Sequence, residues 1–95
     1  MNKKYNLLII LLFSISIIGN VSSENNFFTE AKKNYDEKKY EDSKFLFQRN
    51  IVFNPKDENS YLYLAKIYNL EGNDPEKEKN INTVLLLNPK NEEAI

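Results

Sequence analysis

Asn54-Pro55-Lys56-Asp57-Glu58 returns further along the chain as Asn88-Pro89-Lys90-Asn91-Glu92. Both copies follow an apolar run, Ile51-Val52-Phe53 in the first case and Leu85-Leu86-Leu87 in the second, and both precede residues that suit the opening of a helix. The step from Pro55 to Pro89 sets the period. A fixed period of this size is the mark of a repeat architecture, in which each unit is one supersecondary element that buries its apolar face only against a neighbour.

The segment between the two prolines reads as a helical hairpin. Tyr61, Leu64, Ala65 and Tyr68 recur at i, i+3, i+4 and i+7, the spacing that puts side chains on one helix face. Glu71-Gly72-Asn73 ends that helix, because Gly and Asn accept the left-handed conformation at a helix C-terminus. Asp74 then reads as an N-cap with Pro75 at the first helical position. Ile81, Val84 and Leu85 supply the apolar stripe of the second helix. Pro89 stops it, since the residue before a proline is biased away from helical dihedrals.

The preceding residues run in parallel. Phe27 or Phe28, Ala31 and Tyr35 mark a first helix, and Lys38-Lys39 a turn without glycine. Tyr40, Ser43, Phe47 and Ile51 mark a second helix, closed before Pro55.

A helix-turn-helix period of about 34 residues carrying these side chains resembles the tetratricopeptide repeat family. The resemblance covers Glu24 to Asn91 as two units, 24–57 and 58–91, with 92–95 as the opening of a third. The second unit carries it through Tyr61, Leu64, Ala65, Tyr68, Gly72, Leu85 and Pro89, and the first through Phe27, Ala31, Tyr40, Phe47 and Pro55. Glu30 departs from the pattern where Leu is usual, Asn34 and Asp74 where an aromatic is usual, and Ser43 and Lys77 where a small Ala is usual. The resemblance implies an all-α fold of antiparallel helical hairpins stacked as a short right-handed α-solenoid. It also implies a non-catalytic protein-protein interaction scaffold, with a protein or peptide as partner.

In that family the first helices line a concave groove. The positions implied here are Phe28, Lys32, Tyr35 and Asp36 from the first unit, and Leu62, Tyr63, Lys66, Asn69 and Leu70 from the second. Lys32 and Lys66 stand one full period apart, which places them on adjacent first helices where they would meet a peptide carboxylate. Leu62, Tyr63 and Leu70 are expected to be exposed and to make the groove part apolar. Some family members clamp a C-terminal carboxylate with a Lys/Asn/Arg set; Phe28 and Tyr63 occupy positions of that set here, so such recognition is not expected. Neighbouring units normally number about three, with a polar helix closing the stack. With two units, the stripe Ile81, Val84, Leu85 is expected to lack part of its cover. A longer solenoid, self-association through that end, and folding on a partner are the three ways to supply it.

Residues 1–23 read as a secretory signal rather than as part of the fold. Lys3 and Lys4 form the basic region, Leu7 to Ile18 the apolar core broken only by Ser14 and Ser16, and Val21-Ser22-Ser23 the cleavage region before Glu24, the first acid of the chain. An uncleaved membrane anchor is the rival reading, although the apolar run falls short of the roughly 20 residues a spanning helix needs. Either way the remainder is expected to be exported, to the periplasm or the medium, or held at a membrane. Cleavage would leave eleven Lys and Arg against fourteen Asp and Glu, a net charge of −3.

Composition narrows the chemistry. The 95 residues contain no Cys and no His, so disulfides, Cys/His metal sites and the usual nucleophile-base pairs are excluded. Gly19 and Gly72 are isolated, which leaves no phosphate-binding glycine loop. Asp57/Glu58 and Glu92/Glu93 are the nearest approach to carboxylate pairs, and at helix starts their expected role is to complement the helix dipole. Lys32-Lys33 and Lys38-Lys39 alternate with Glu30, Asp36, Glu37 and Glu41, the pattern of a solvated mixed-sign surface rather than a nucleic-acid face. No enzyme activity, metal or cofactor is expected.

Overall fold

The computed structural model describes residues 23–95, with side chains from Phe27 onward; the expectations for the signal or anchor lie outside these residues. Among the described residues four helices follow one another: α1 (Ser23–Asp36), α2 (Tyr40–Phe53), α3 (Glu58–Glu71) and α4 (Asp74–Leu87). Among the described residues there is no strand. Each helix has 14 residues, roughly 21 Å at 1.5 Å per residue. The described residues are therefore all-α, as the sequence predicts, and none of these helices is long and apolar enough to cross a membrane.

The turns inside the two hairpins are built alike. Lys38 (φ 63°) and Gly72 (φ 73°) both take the left-handed conformation. After α1, the Lys38 N–H donates to Tyr35 O and the Lys39 N–H to Asn34 O; after α3, the Gly72 N–H donates to Asn69 O and the Asn73 N–H to Tyr68 O. These paired bonds satisfy carbonyls that the helix end would leave open. The turn expected at Lys38-Lys39 is therefore present, with a lysine in the place that Gly72 fills one period on.

The N-termini of α3 and α4 are capped by side chains. Asp57 accepts from the Asn59 N–H. At α4 the cap is Asn73, whose Oδ1 accepts from the Glu76 N–H, so Asp74 lies one residue inside the helix. This moves the expected cap back by one, and the reason is local: Asn73 is the residue that leaves the left-handed turn, and its short amide reaches the free N–H of Glu76.

α1 pairs with α2 and α3 with α4 as antiparallel hairpins, and α2 packs on α3 to join them. Ala31, Phe47, Leu64 and Ile67 form the centre of one core, flanked by Phe28, Tyr35, Tyr40, Leu46, Ile51, Tyr63 and Tyr68. Leu62, Val84 and Ala94 form a second, flanked by Tyr61, Ile81 and Leu85. Ser43 is fully buried where α2 crosses α1, and its hydroxyl donates to Ala31 O at 2.7 Å. A small residue permits the close approach, and the hydrogen bond offsets the cost of burying its oxygen. Lys77, at the corresponding place of α4, stays half-buried.

Of the stripe expected to lack part of its cover, Val84 is covered, while Ile81 and Leu85 stay half-buried. After α4 the chain turns back and sets Ala94 against Leu62 and Val84, leaving Val84 wholly buried. Asn88 and Asn91 hold this turn by donating to Glu58 Oε2 at 3.0 and 2.9 Å. The most exposed leucine of this helix is Leu86.

Candidate functional site

The residues expected to line a groove divide into three groups. Phe28, Tyr35 and Tyr63 come together as one aromatic cluster. Tyr63 stacks on Phe47 with 5.0 Å between ring centroids. It also meets Tyr35 edge-on at 5.0 Å and Phe28 edge-on at 6.1 Å. These are the offset and edge geometries that the aromatic quadrupole favours. All three rings are partly buried, so they carry the contact between the hairpins and present only their margins to solvent.

Lys32 and Lys66 stand on that margin, each already holding a carboxylate. Lys32 Nζ lies 2.9 Å from Asp36 Oδ2, one helical turn along α1. Lys66 Nζ lies 2.9 Å from Glu93 Oε2, supplied by the turn after α4, and 5.0 Å from the centroid of the Tyr63 ring. The hydrogen bond to Asp36 raises the pKa of Lys32 above 10.5, and the hydrogen bond to Glu93 does the same for Lys66 against the opposing pull of burial. Tyr63 adds to the upward shift of both.

Leu62 and Asn69 fall outside the cluster. Leu62, expected to be exposed, is only 5% accessible and belongs to the second core with Val84 and Ala94. The physical reason is that α3 has a neighbour on each side, so its apolar arc is wider than a helix with one partner requires. Asn69 and Leu70 are exposed near the C-terminus of α3.

Two open hollows adjoin this region. One, of about 390 Å³, runs along α1 between Phe28, Thr29, Lys32, Lys33, Asp36 and Glu37. The other, of about 770 Å³, opens where α1 begins, α2 ends and α3 begins; Phe28, Asn50, Phe53, Pro55, Lys56 and Asp57 line it. At its floor Asn50 Nδ2 donates to Asp57 Oδ2 (3.0 Å) and Ser60 Oγ (2.9 Å), and the Ser60 hydroxyl donates to Asp57 Oδ2 (2.7 Å). No buried side-chain nitrogen or oxygen among the described residues lacks a partner. Asp57 is thus occupied as cap and acceptor, and Glu58 as acceptor for two amides, both at the start of α3, whereas Glu92 and Glu93, also expected at a helix start, lie in a turn because no helix follows Pro89 among the described residues. The amide of Asn91, and then that of Asn88, pulls the Glu58 carboxyl below its ordinary 4.5. Among the described residues no group of three or more Asp and Glu side chains is placed to hold a metal ion.

Nothing in the sequence marks Glu93 as the partner of Lys66, since it lies far along the chain and outside any helix face, whereas Asp36 at i+4 from Lys32 is readable. No protein-family model matches this chain, and no curated protein matches it.

Proposed function

We propose that the chain is an exported, tetratricopeptide-type helical-repeat protein, a short right-handed solenoid acting as a non-catalytic scaffold that binds a protein or peptide along its first-helix face. The architecture is supported by the recurrence, at one offset, of turn chemistry and packing positions: Lys38 with Gly72, Ala31 with Ala65, and Pro55 with Pro89. The binding reading rests on one observation above the rest. Lys66 on the aromatic margin already takes a carboxylate from a separate segment of chain, Glu93, which is the contact an acidic peptide would make there. The aromatic rings beneath supply rigid apolar area, and Lys32, Asn69 and Leu70 extend the face in both directions.

The test is photocrosslinking in the cells that make the protein, with benzoylphenylalanine placed at Asn69 and, as a control, at Lys79, exposed on α4. A discrete adduct from Asn69, absent from Lys79 and lost in Lys32→Glu/Lys66→Glu, is expected. Equal adducts from both positions, or indifference to charge reversal, would sink the reading.

A second reading has its own support. Retention of residues 1–23 would make the chain a membrane-anchored accessory subunit holding 24–95 outside the cytoplasm. Large apolar side chains are exposed at the end where α1 begins, Val52 and Phe53 among them.

A further inference from the structure

Antiparallel hairpins bring alternate helix ends to the same side. Phe27 in the first turns of α1 stacks on Phe53 at the end of α2, with centroids 5.7 Å apart. Asn50 near the end of α2 bonds Asp57 and Ser60 at the start of α3, and Asn88 after α4 bonds Glu58. The start of α1, the end of α2, the start of α3 and the end of α4 therefore share one end of the molecule, the proximal end. It is the end at which residues 1–22 join.

Several features separate this end from the other. Val52 (75% accessible), Phe53 (52%) and Leu86 (84%) are exposed there, together with Leu87, whereas the exposed large apolar side chain beside the distal turns is Leu70. Arg49 lies over both Phe27 and Phe45, at 5.1 and 5.7 Å from the ring centroids, which extends an apolar surface with a cation on it up α2. Lys56 and Lys90, equivalent positions of the two Asn-Pro-Lys turns, are exposed and have no ion-pair partner among the described residues. At the distal end the exposed acids Asp36, Glu37, Glu41, Asp42, Glu71 and Asp74 outnumber the exposed lysines Lys33, Lys38 and Lys39, whereas after α4 at the proximal end the exposed acids are Glu92 and Glu93, beside Lys56, Lys90 and Arg49.

We propose that the proximal end rests on a lipid bilayer surface. The inference rests on the anchored reading above. Only four residues, Gly19 to Ser22, separate the apolar run ending at Ile18 from α1. Extended chain spans at most about 3.6 Å per residue, so the reach is roughly 14 Å. A chain whose Leu7–Ile18 run lies in a bilayer holds Phe27, Val52 and Phe53 within reach of its interface. There, apolar side chains gain by leaving water, while Lys56, Lys90 and Arg49 keep their charges at headgroup level. The more acidic distal end faces away, as repulsion from an anionic surface requires.

The chain has no cysteine, so a single introduced one labels cleanly. The full chain is reconstituted in phosphatidylcholine/phosphatidylglycerol vesicles with an environment-sensitive fluorophore at Leu86→Cys or, for the distal end, at Lys38→Cys. Leu86 is almost wholly solvent-facing, so its replacement leaves the core intact. Blue-shifted emission and quenching by lipid-borne nitroxide at position 86 but not at 38 are expected, with the shift lost on adding Val52→Asp at unchanged helicity. A vesicle-bound chain whose label at 86 stays aqueous overturns the proposal and leaves the anchored reading standing. The same protection in lipid-free chain at high concentration also overturns it, in favour of a second copy covering the surface. Chain recovered from membranes beginning at Glu24, yet still quenched at 86, sinks the anchored reading and leaves the surface contact standing.

Discussion

The chain passes twice from a second helix to the segment that follows, and the two junctions are built from opposite materials. At the first, Asn50, Asp57 and Ser60 form a hydrogen-bonded trio in which Asn50 and Ser60 are buried. At the second, the positions one period on are Val84, Asn91 and Ala94; valine and alanine pack directly, and Asn91 turns outward to Glu58 while its Oδ1 accepts from the Ala94 N–H. One backbone arrangement is thus closed once by polar satisfaction and once by apolar contact. The polar version demands that every partner be present, because a buried donor or acceptor left alone costs its full desolvation. The apolar version tolerates changes in shape and rejects polarity.

Exchanging the two sets tests this reading most severely. Val84→Asn places an amide among apolar side chains and should cost about 3 kcal/mol. Adding Asn91→Asp and Ala94→Ser, which rebuilds the trio, should recover part of the loss. The reciprocal Asn50→Val should cost about 2 kcal/mol, because it removes the amide that donates to both Asp57 Oδ2 and Ser60 Oγ and leaves that polar pair, still bonded to each other, against an apolar side chain, and the addition of Ser60→Ala and Asp57→Asn should recover more than half. Urea unfolding of the single and combined variants reads both cycles. If the companion changes only add further loss in both directions, the junctions are not interchangeable units and the comparison fails.

The hairpin turns offer a milder contrast. Lys38 bears the strain of a left-handed φ that Gly72 escapes. A β-carbon on Gly72 would meet nothing within 4 Å, so the penalty there is conformational rather than steric. Gly72→Ala should lower stability by about 1 kcal/mol and Lys38→Gly raise it by about as much. Melting curves with both changes of the same sign would show that the two turns are not equivalent.

The smallest effect expected is on pH. The folded-state pKa of Glu58 lies below its unfolded value of 4.5 because Asn91 and Asn88 donate to the carboxylate. Its contribution is therefore present above 4.5 and is lost as pH falls through the lower folded value. The protection factor of the Ala94 amide, its exchange rate relative to the intrinsic rate at each pH, should fall on acidification more in the wild type than in Glu58→Gln, whose side chain keeps an acceptor and does not titrate. Parallel acid profiles for the two would remove Glu58 from the docking of this turn.

Helix positions are legible because the signals are local: prolines at 55 and 89, the glycine at 72, and apolar residues at helical spacing through Tyr61, Leu64, Ala65 and Tyr68. Burial of Leu62 and Ile67 is not, because it depends on α3 having a partner on both sides, and one-face periodicity describes a helix with one. The cap at Asn73 differs from the expected Asp74 because Asn and Asp in succession both qualify chemically, and only the left-handed turn before them decides which is used. In the candidate site, the clustering of Phe28, Tyr35 and Tyr63 follows from their places on successive first helices. The partnership of Lys66 with Glu93 follows from how the last turn folds back, which no periodicity encodes.

Tyr63 has a practical consequence. Its ring meets Phe28 and Tyr35 of α1 and Phe47 of α2 while its own backbone belongs to α3, so it spans the seam between hairpins. The chain contains no tryptophan. Tyrosine emission and near-ultraviolet dichroism therefore go unmasked by indole, and the seam carries its own optical reporter. A Tyr63→Phe variant, subtracted from the wild type, would isolate the signal of that one ring and show whether the hairpins separate before their helices melt.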